Sequence, residues 1–125
     1  KEKKEKKMNA KERKAHPVFT GVLKYFPDAI MEIAKVSLQG NKQHHPDKPL
    51  HWDRGKSSDE LDALARHLID AGKIDDDGQR HSAKVAWRAL ANLQKEIEAE
   101  RNQIKKASKY KIQPGDAGTE RAYLL

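Results

Sequence analysis

No cysteine occurs among the 125 residues. Disulfides and thiolate metal sites are therefore excluded, and the usage fits a cytoplasmic protein. No apolar run approaches the length a membrane span requires. The N-terminus is charged but has no apolar segment behind it, so it does not read as a secretory signal. Aromatics are scarce, at two Trp, two Phe and three Tyr. β-Branched residues are few and helix formers dominate, which points to an all-α chain. There is no internal repeat. A Gly-rich phosphate loop and a GxSxG elbow are both missing, so neither a P-loop NTPase nor a serine hydrolase is supported.

Hydrophobic and charged residues each make up 36% of the chain, so the core must be small relative to the surface. Part of the apolar surface is then expected to lie between subunits. The length suits one domain. The formal net charge of +7 is uneven. Residues 1–14, KEKKEKKMNAKERK, hold eight Lys/Arg against three Glu, which leaves a nearly balanced domain carrying a basic arm. Met8 within the arm offers a native start. Such an arm can contact nucleic acid or act only as a solvated helix surface. The expected division is an arm at 1–14, a helical domain at 15–107 and a tail at 108–125 that breaks at Pro114-Gly115.

Patterning predicts a small bundle of three to four main helices with a long His/Pro/Lys-rich loop. A first helix starts near Pro27, a residue suited to a first helical position, and ends before Gly40. Its apolar face is Ile30, Ile33, Ala34 and Leu38. Residues 15–26, with Phe19, Leu23, Tyr25 and Phe26, are expected to cover the core. Residues 40–56, GNKQHHPDKPLHWDRGK, form the loop. A second helix spans Ser58 to Ala71, with Ser57 and Glu60 at capping-box spacing. Its apolar face is Leu61, Leu64, Ala65, Leu68 and Ile69, and Gly72 is the expected stop. A third helix opens at His81 and runs past Ile104, with Ala86, Leu90, Leu93 and Ile97 as its seam.

The densest chemistry lies between Ser57 and Trp87. Arg66-His67 sits in a helix, Asp75-Asp76-Asp77 and Gly78 make an acidic turn, and His81 opens the next helix. Cations, carboxylates and imidazoles thus gather at one end of the bundle, a mixture suited to phosphates and a divalent ion. Glu32, Asp59, Asp62, Asp70, Asp76 and Asp77 are hard oxygen donors of the kind that hold Mg²⁺ partly through substrate phosphates. Lys42, Arg66, Lys73, Arg80 and Lys84 can pair with phosphate oxygens. An ordinary i,i+4 pair on a wet face also explains Asp62 with Arg66. Trp52 can stack on a purine or plug the helix ends. His44, His45 and His51 with Asp47 match no zinc spacing, and a non-metal reading is preferred there.

The pieces FPDAIMEIAKVSLQGNKQH, HWDRG and ARHLIDAGKIDDDGQRHSAKVAWRAL, between Tyr25 and Leu93, resemble the N-terminal domain of phage dATP/dGTP diphosphohydrolases, relatives of the MazG-like all-α nucleotide pyrophosphohydrolases. Glu32, Gly40, Lys42, Trp52, Arg66, His67, Gly78, His81 and Trp87 carry the resemblance. His51 stands where that pattern has Asn, Lys84 where it has a second His and Arg88 where it has Asn. The paired-Glu helix motif of the MazG enzymes is not evident.

The resemblance implies Mg²⁺-dependent (or Mn²⁺-dependent) hydrolysis of a purine deoxynucleoside triphosphate, dGTP or dATP, to monophosphate and pyrophosphate in a phage-infected cell. On it, Glu32, Asp70, Asp76 and Asp77 would hold metal. Lys42, Trp52, Arg66 and Lys84 would bind substrate, and His67 and His81 would orient water or phosphate. A homo-oligomer, dimer or tetramer, is also implied. The contrasting expectation is a non-catalytic phage protein on the same fold, binding nucleic acid or a protein through its basic arm and polar helix.

Overall fold

In the computed structural model the described residues are 7–109. They form an all-helical bundle. The elements are α1 (Ala10–Lys14), one wide π-type turn (Phe19–Leu23), α2 (Pro27–His44), α3 (Glu60–Ile69) and α4 (His81–Lys109). The long α4 is the spine, and both α3 and α2 pack against it. No described helix is long and apolar enough to cross a membrane. The expected C-terminal tail lies outside the described residues, apart from 108 and 109, which continue α4.

Two helix boundaries differ from the sequence expectation. α2 begins at Pro27 as expected but runs through Gly40 to His44. Its last turn is tied down from outside. Asn41 is buried and donates its side-chain amide to the Lys48 carbonyl at 3.1 Å, and the His45 N–H closes on the Asn41 carbonyl at 2.7 Å. These bonds offset the roughly 1 kcal/mol that an interior glycine costs. The loop therefore starts at His45. α3 is shorter than expected and the capping box does not form. Ser57 donates to Asp59 at 2.8 Å instead. Glu60 turns inward, where it accepts from Arg88 at 2.8 Å and from Lys95 at 2.9 Å. Two charge-assisted bonds outweigh one neutral amide contact.

The inward face of α3 consequently carries Glu60, Ala63 and His67, and the expected apolar face points the other way. Leu61, Leu68 and Ile69 are exposed, as are Leu38 on α2 and Leu90, Leu93 and Ile97 on α4. The lead-in does not cover a core either, since Phe19, Tyr25 and Phe26 all face solvent. Among the described residues the buried hydrophobic ones are three alanines, Ala63, Ala83 and Ala91. Small side chains at these positions let α3 and α4 approach closely enough for the polar groups between them to meet.

The link between α3 and α4 is a pinned turn. Gly72 takes φ +92° just past α3, as expected of a helix stop. Ile74 and Arg80 form an antiparallel bridge, and Gly78 adopts φ +80° at the tip. The described part of the basic arm is exposed, and its hydrogen bonds are local, from Asn9 to Glu12, from Arg13 to the Met8 carbonyl and on to Ala15 and His16 at its end.

Glu60 is 5% exposed and holds two cations. Burial would push its carboxyl up, but the bonds from Arg88 and Lys95 outweigh that and hold it below the ordinary range. Replacing Glu60 with Gln should lower stability by about 1.5–3 kcal/mol. The exposed Asp59–Arg66 pair is worth at most about 1 kcal/mol, so Asp59→Asn should cost less. Urea denaturation of the two variants checks the order.

Candidate functional site

A cleft of about 520 Å³ opens between the second half of α2, the loop after it, the start of α3, the acidic turn and the start of α4. Its size falls in the range of small-molecule sites, about 300–1,000 Å³. One wall is aromatic. Trp52, half-buried on the loop, meets Trp87 of α4 edge to face with centroids 5.9 Å apart. Trp87 is anchored by donating its indole N–H to Ser37 at 2.7 Å, which ties α4 to α2. Arg54 lies 4.3 Å over the Trp52 ring, and Lys95 5.9 Å from it. Trp52 is thus held by cations on its loop and on α4, while still lining the cleft.

The rest of the lining is largely polar. Lys84, one turn into α4, donates to Asp75 and to Asp77 at 2.7 Å each. The turn prepares these carboxylates: Asp75 accepts from the Asp76 amide and Asp77 from the Gln79 amide. The Lys84 bond, followed by the Asp76 amide, holds the Asp75 carboxyl down at about 2. Burial would push Lys84 down, but its two carboxylate bonds outweigh that and raise it. His67 of α3 faces His81 of α4 with their Nδ1 atoms 3.0 Å apart. Burial, with Lys84 and His81 nearby, holds His67 below the ordinary imidazole range and favours its neutral form.

Of the residues expected to carry chemistry, Trp52, His67, Lys84 and Asp77 line the cleft, and His81 stands behind His67. The others lie elsewhere. Glu32 pairs with Lys35, Asp70 with Lys73 and Arg66 with Asp59. Asp76 and Lys42 are exposed.

The cleft also contains residues that sequence reasoning did not assign. Asn41 Oδ1, His45 Nε2 and Gln79 Oε1 are buried and without a hydrogen-bond partner, and all three residues line the cleft. Buried polar groups are rarely left in this state, so each of these atoms has capacity for a further hydrogen bond inside the cleft. Glu60, Asp75 and Arg88 were likewise unassigned. A signal existed for them. Glu60 and His67 share a face on α3, and Lys84, Arg88 and Lys95 share one on α4, at spacings of four and seven.

The Asp75–Lys84 pair carries a pH dependence with a definite sign. A depressed carboxyl adds stability above the ordinary carboxylate range, near pH 4, and loses it as pH falls toward about 2. Lys84→Met should therefore be less stable than the parent near pH 6. The difference should shrink steadily as pH falls through 4 toward 2. Urea unfolding at stepped pH measures it.

The chain gives a family match: the N-terminal domain model of dATP/dGTP diphosphohydrolases aligns with residues 2–106. No curated protein and no solved structure matches. The family match takes in all of 25–93, where the resemblance was read, and most of the arm as well. The chain belongs to this family.

Proposed function

We propose that the cleft binds a purine deoxynucleoside triphosphate and hydrolyses it to monophosphate and pyrophosphate. The observation that carries this reading is the cleft's mixed lining: the Trp52–Trp87 pair beside cations, an imidazole and carboxylates. Trp52 and Trp87 offer ring faces and edges to a base. The unpartnered oxygens of the Asn41 and Gln79 side chains offer two acceptors to the N–H groups of a base. Lys56, Lys84 and Arg88, all lining the cleft, face the phosphates with charge-assisted hydrogen bonds. In the reaction, water attacks the α-phosphorus, its bond to the bridging oxygen breaks and pyrophosphate leaves. His67 is the imidazole at the cleft that would orient this water, directly or through a bound ion, with His81 fixing the ring.

On this reading a divalent ion would be held at the turn. Asp75 and Asp77 already gather around one positive charge, the Lys84 ammonium, and Mg²⁺ or Mn²⁺ is commonly held by one or two carboxylates plus substrate phosphates. Asp77, with Asp75 behind it, would hold such an ion. When bound it supplies neutralisation of phosphate charge.

The exposed apolar residues on all three long helices support a homo-oligomer, dimer or tetramer. Among the described residues the fully buried apolar side chains are alanines, so the protomer gains little there from the hydrophobic effect, about 25 cal/mol for each Å² covered. Leu68, Leu90 and Leu93 are each more than half exposed, and association would cover them. Light scattering after size exclusion should give a mass of two or four chains at micromolar concentration. Leu93→Glu should reduce it to one.

Purified protein with Mg²⁺ or Mn²⁺ should release pyrophosphate from dGTP or dATP, and metal removal should abolish release. Trp52→Ala should raise KM about tenfold or more, since stacking on a base is worth roughly 1–3 kcal/mol. Intact nucleotides after incubation of all four dNTPs with both metals would defeat the hydrolytic reading.

A further inference from the structure

The three strongest donors near the acidic turn do not form the all-oxygen set that Mg²⁺ favours. His67, Asp75 and His81 each present one ligand atom, and these atoms lie within 4.8 Å of one another. Two are imidazole nitrogens and one is a carboxylate oxygen. Imidazole suits Zn²⁺, Co²⁺, Ni²⁺ and related ions, while Mg²⁺ favours oxygen and water. We infer that His67, Asp75 and His81 form a binding site for a divalent transition ion of the Zn²⁺ or Co²⁺ type.

The distances support the assignment. Ligand nitrogens sit about 2.0–2.1 Å from such an ion, so two on one metal stand about 2.9 Å apart at a right angle and about 3.3 Å apart in a tetrahedron. The two Nδ1 atoms are 3.0 Å apart, inside that interval. In the metal-free pair one Nδ1 carries the proton that the other accepts. Binding the ion needs that proton moved to the far nitrogen of the same ring, so neutral imidazole ligates without a net change in charge.

Asp75 is arranged as a ligand with support behind it. Its Oδ2 accepts from Lys84 at 2.7 Å, and its Oδ1 accepts from the Asp76 amide and faces His81 Nε2 at 3.8 Å. Groups that hold a ligating carboxylate in this way fix its orientation. The elements are rigid as well. His67 stands on α3, His81 opens α4, and Asp75 sits on the turn closed by the Ile74–Arg80 bridge. The side chains are sheltered, with His81 14% and Asp75 25% exposed. The site opens toward the cleft through His67, which lines it, so a water on the ion would face any bound phosphate.

This inference does not rest on nucleotide hydrolysis and can fail or stand apart from it. The test uses the full chain, stripped of metal and titrated with Co²⁺ while its visible absorption is followed. The expected result is about one equivalent bound per chain, displaced by Zn²⁺ but not by millimolar Mg²⁺. His67→Ala and His81→Gln should each weaken binding about tenfold or more, the scale of losing even a supporting group, and Asp75→Asn should do the same. Far-UV circular dichroism identifies any variant that fails to fold, and Asp75→Asn then serves as the milder probe. The double variant His45→Ala/His51→Ala should bind as the parent does. Absence of Co²⁺ binding, or binding that survives loss of His67 and His81, or binding that disappears with His45 and His51, would overturn the assignment. Co²⁺ binding without pyrophosphate release would leave it standing and sink the hydrolytic reading alone.

Discussion

A single buried carboxylate holds α3 to α4. Glu60 reaches across the interface to Arg88 and Lys95, two turns apart on the spine. Everything at the site hangs from that junction. It sets the rotation of α3, and this rotation turns His67 toward His81 and leaves Leu61, Leu68 and Ile69 outside. It also fixes Lys95 near Trp52, and so one wall of the cleft. A buried ion pair of this type is not a cheap source of stability, since desolvation offsets much of its attraction. What it does supply is register, because the helices can meet in only one rotation that leaves no charge unpaired.

The same logic operates at the other end of the interface. The acidic turn places three carboxylates in succession, and the backbone assigns them different surroundings. Asp75 and Asp77 point back to Lys84, while Asp76 points to solvent. Gly78 at φ +80° makes the reversal that brings them together. A side chain at that residue would meet nothing within 4 Å, so glycine is needed for its backbone conformation and not for space.

Much of this was legible from the chain alone. Helix content, the start of α2 at Pro27, the stop at Gly72, the acidic turn and the opening of α4 at His81 all follow from local rules that tertiary contacts did not override. The convergence of His67, His81, Lys84 and Asp77 at one end of the bundle was legible too, because helix–turn–helix geometry forces it. The burial pattern was not. Periodicity marks which face of a helix is apolar, but not whether that face meets its own chain. On α3 the face of Glu60, Ala63 and His67 won the interior because Arg88 and Lys95 wait opposite Glu60, a pairing across 28 and 35 residues that no local window contains. The end of α2 was missed for a related reason. Asn41 finds its partner at Lys48, beyond the glycine where local propensity would stop the helix.

The alanine-lined interior has a calorimetric consequence. Heat capacity rises on unfolding mainly because apolar surface becomes hydrated. Among the described residues the fully buried apolar side chains are Ala63, Ala83 and Ala91, and the larger apolar residues are half-buried or exposed, which leaves the protomer little such surface to reveal. Taken singly, it would unfold with a small heat-capacity increment and a stability nearly flat in temperature. The curvature expected of a globular protein would enter only with the leucines and isoleucines of a subunit contact. If protomers associate through that contact, thermal stability would depend on protein concentration as well as on sequence.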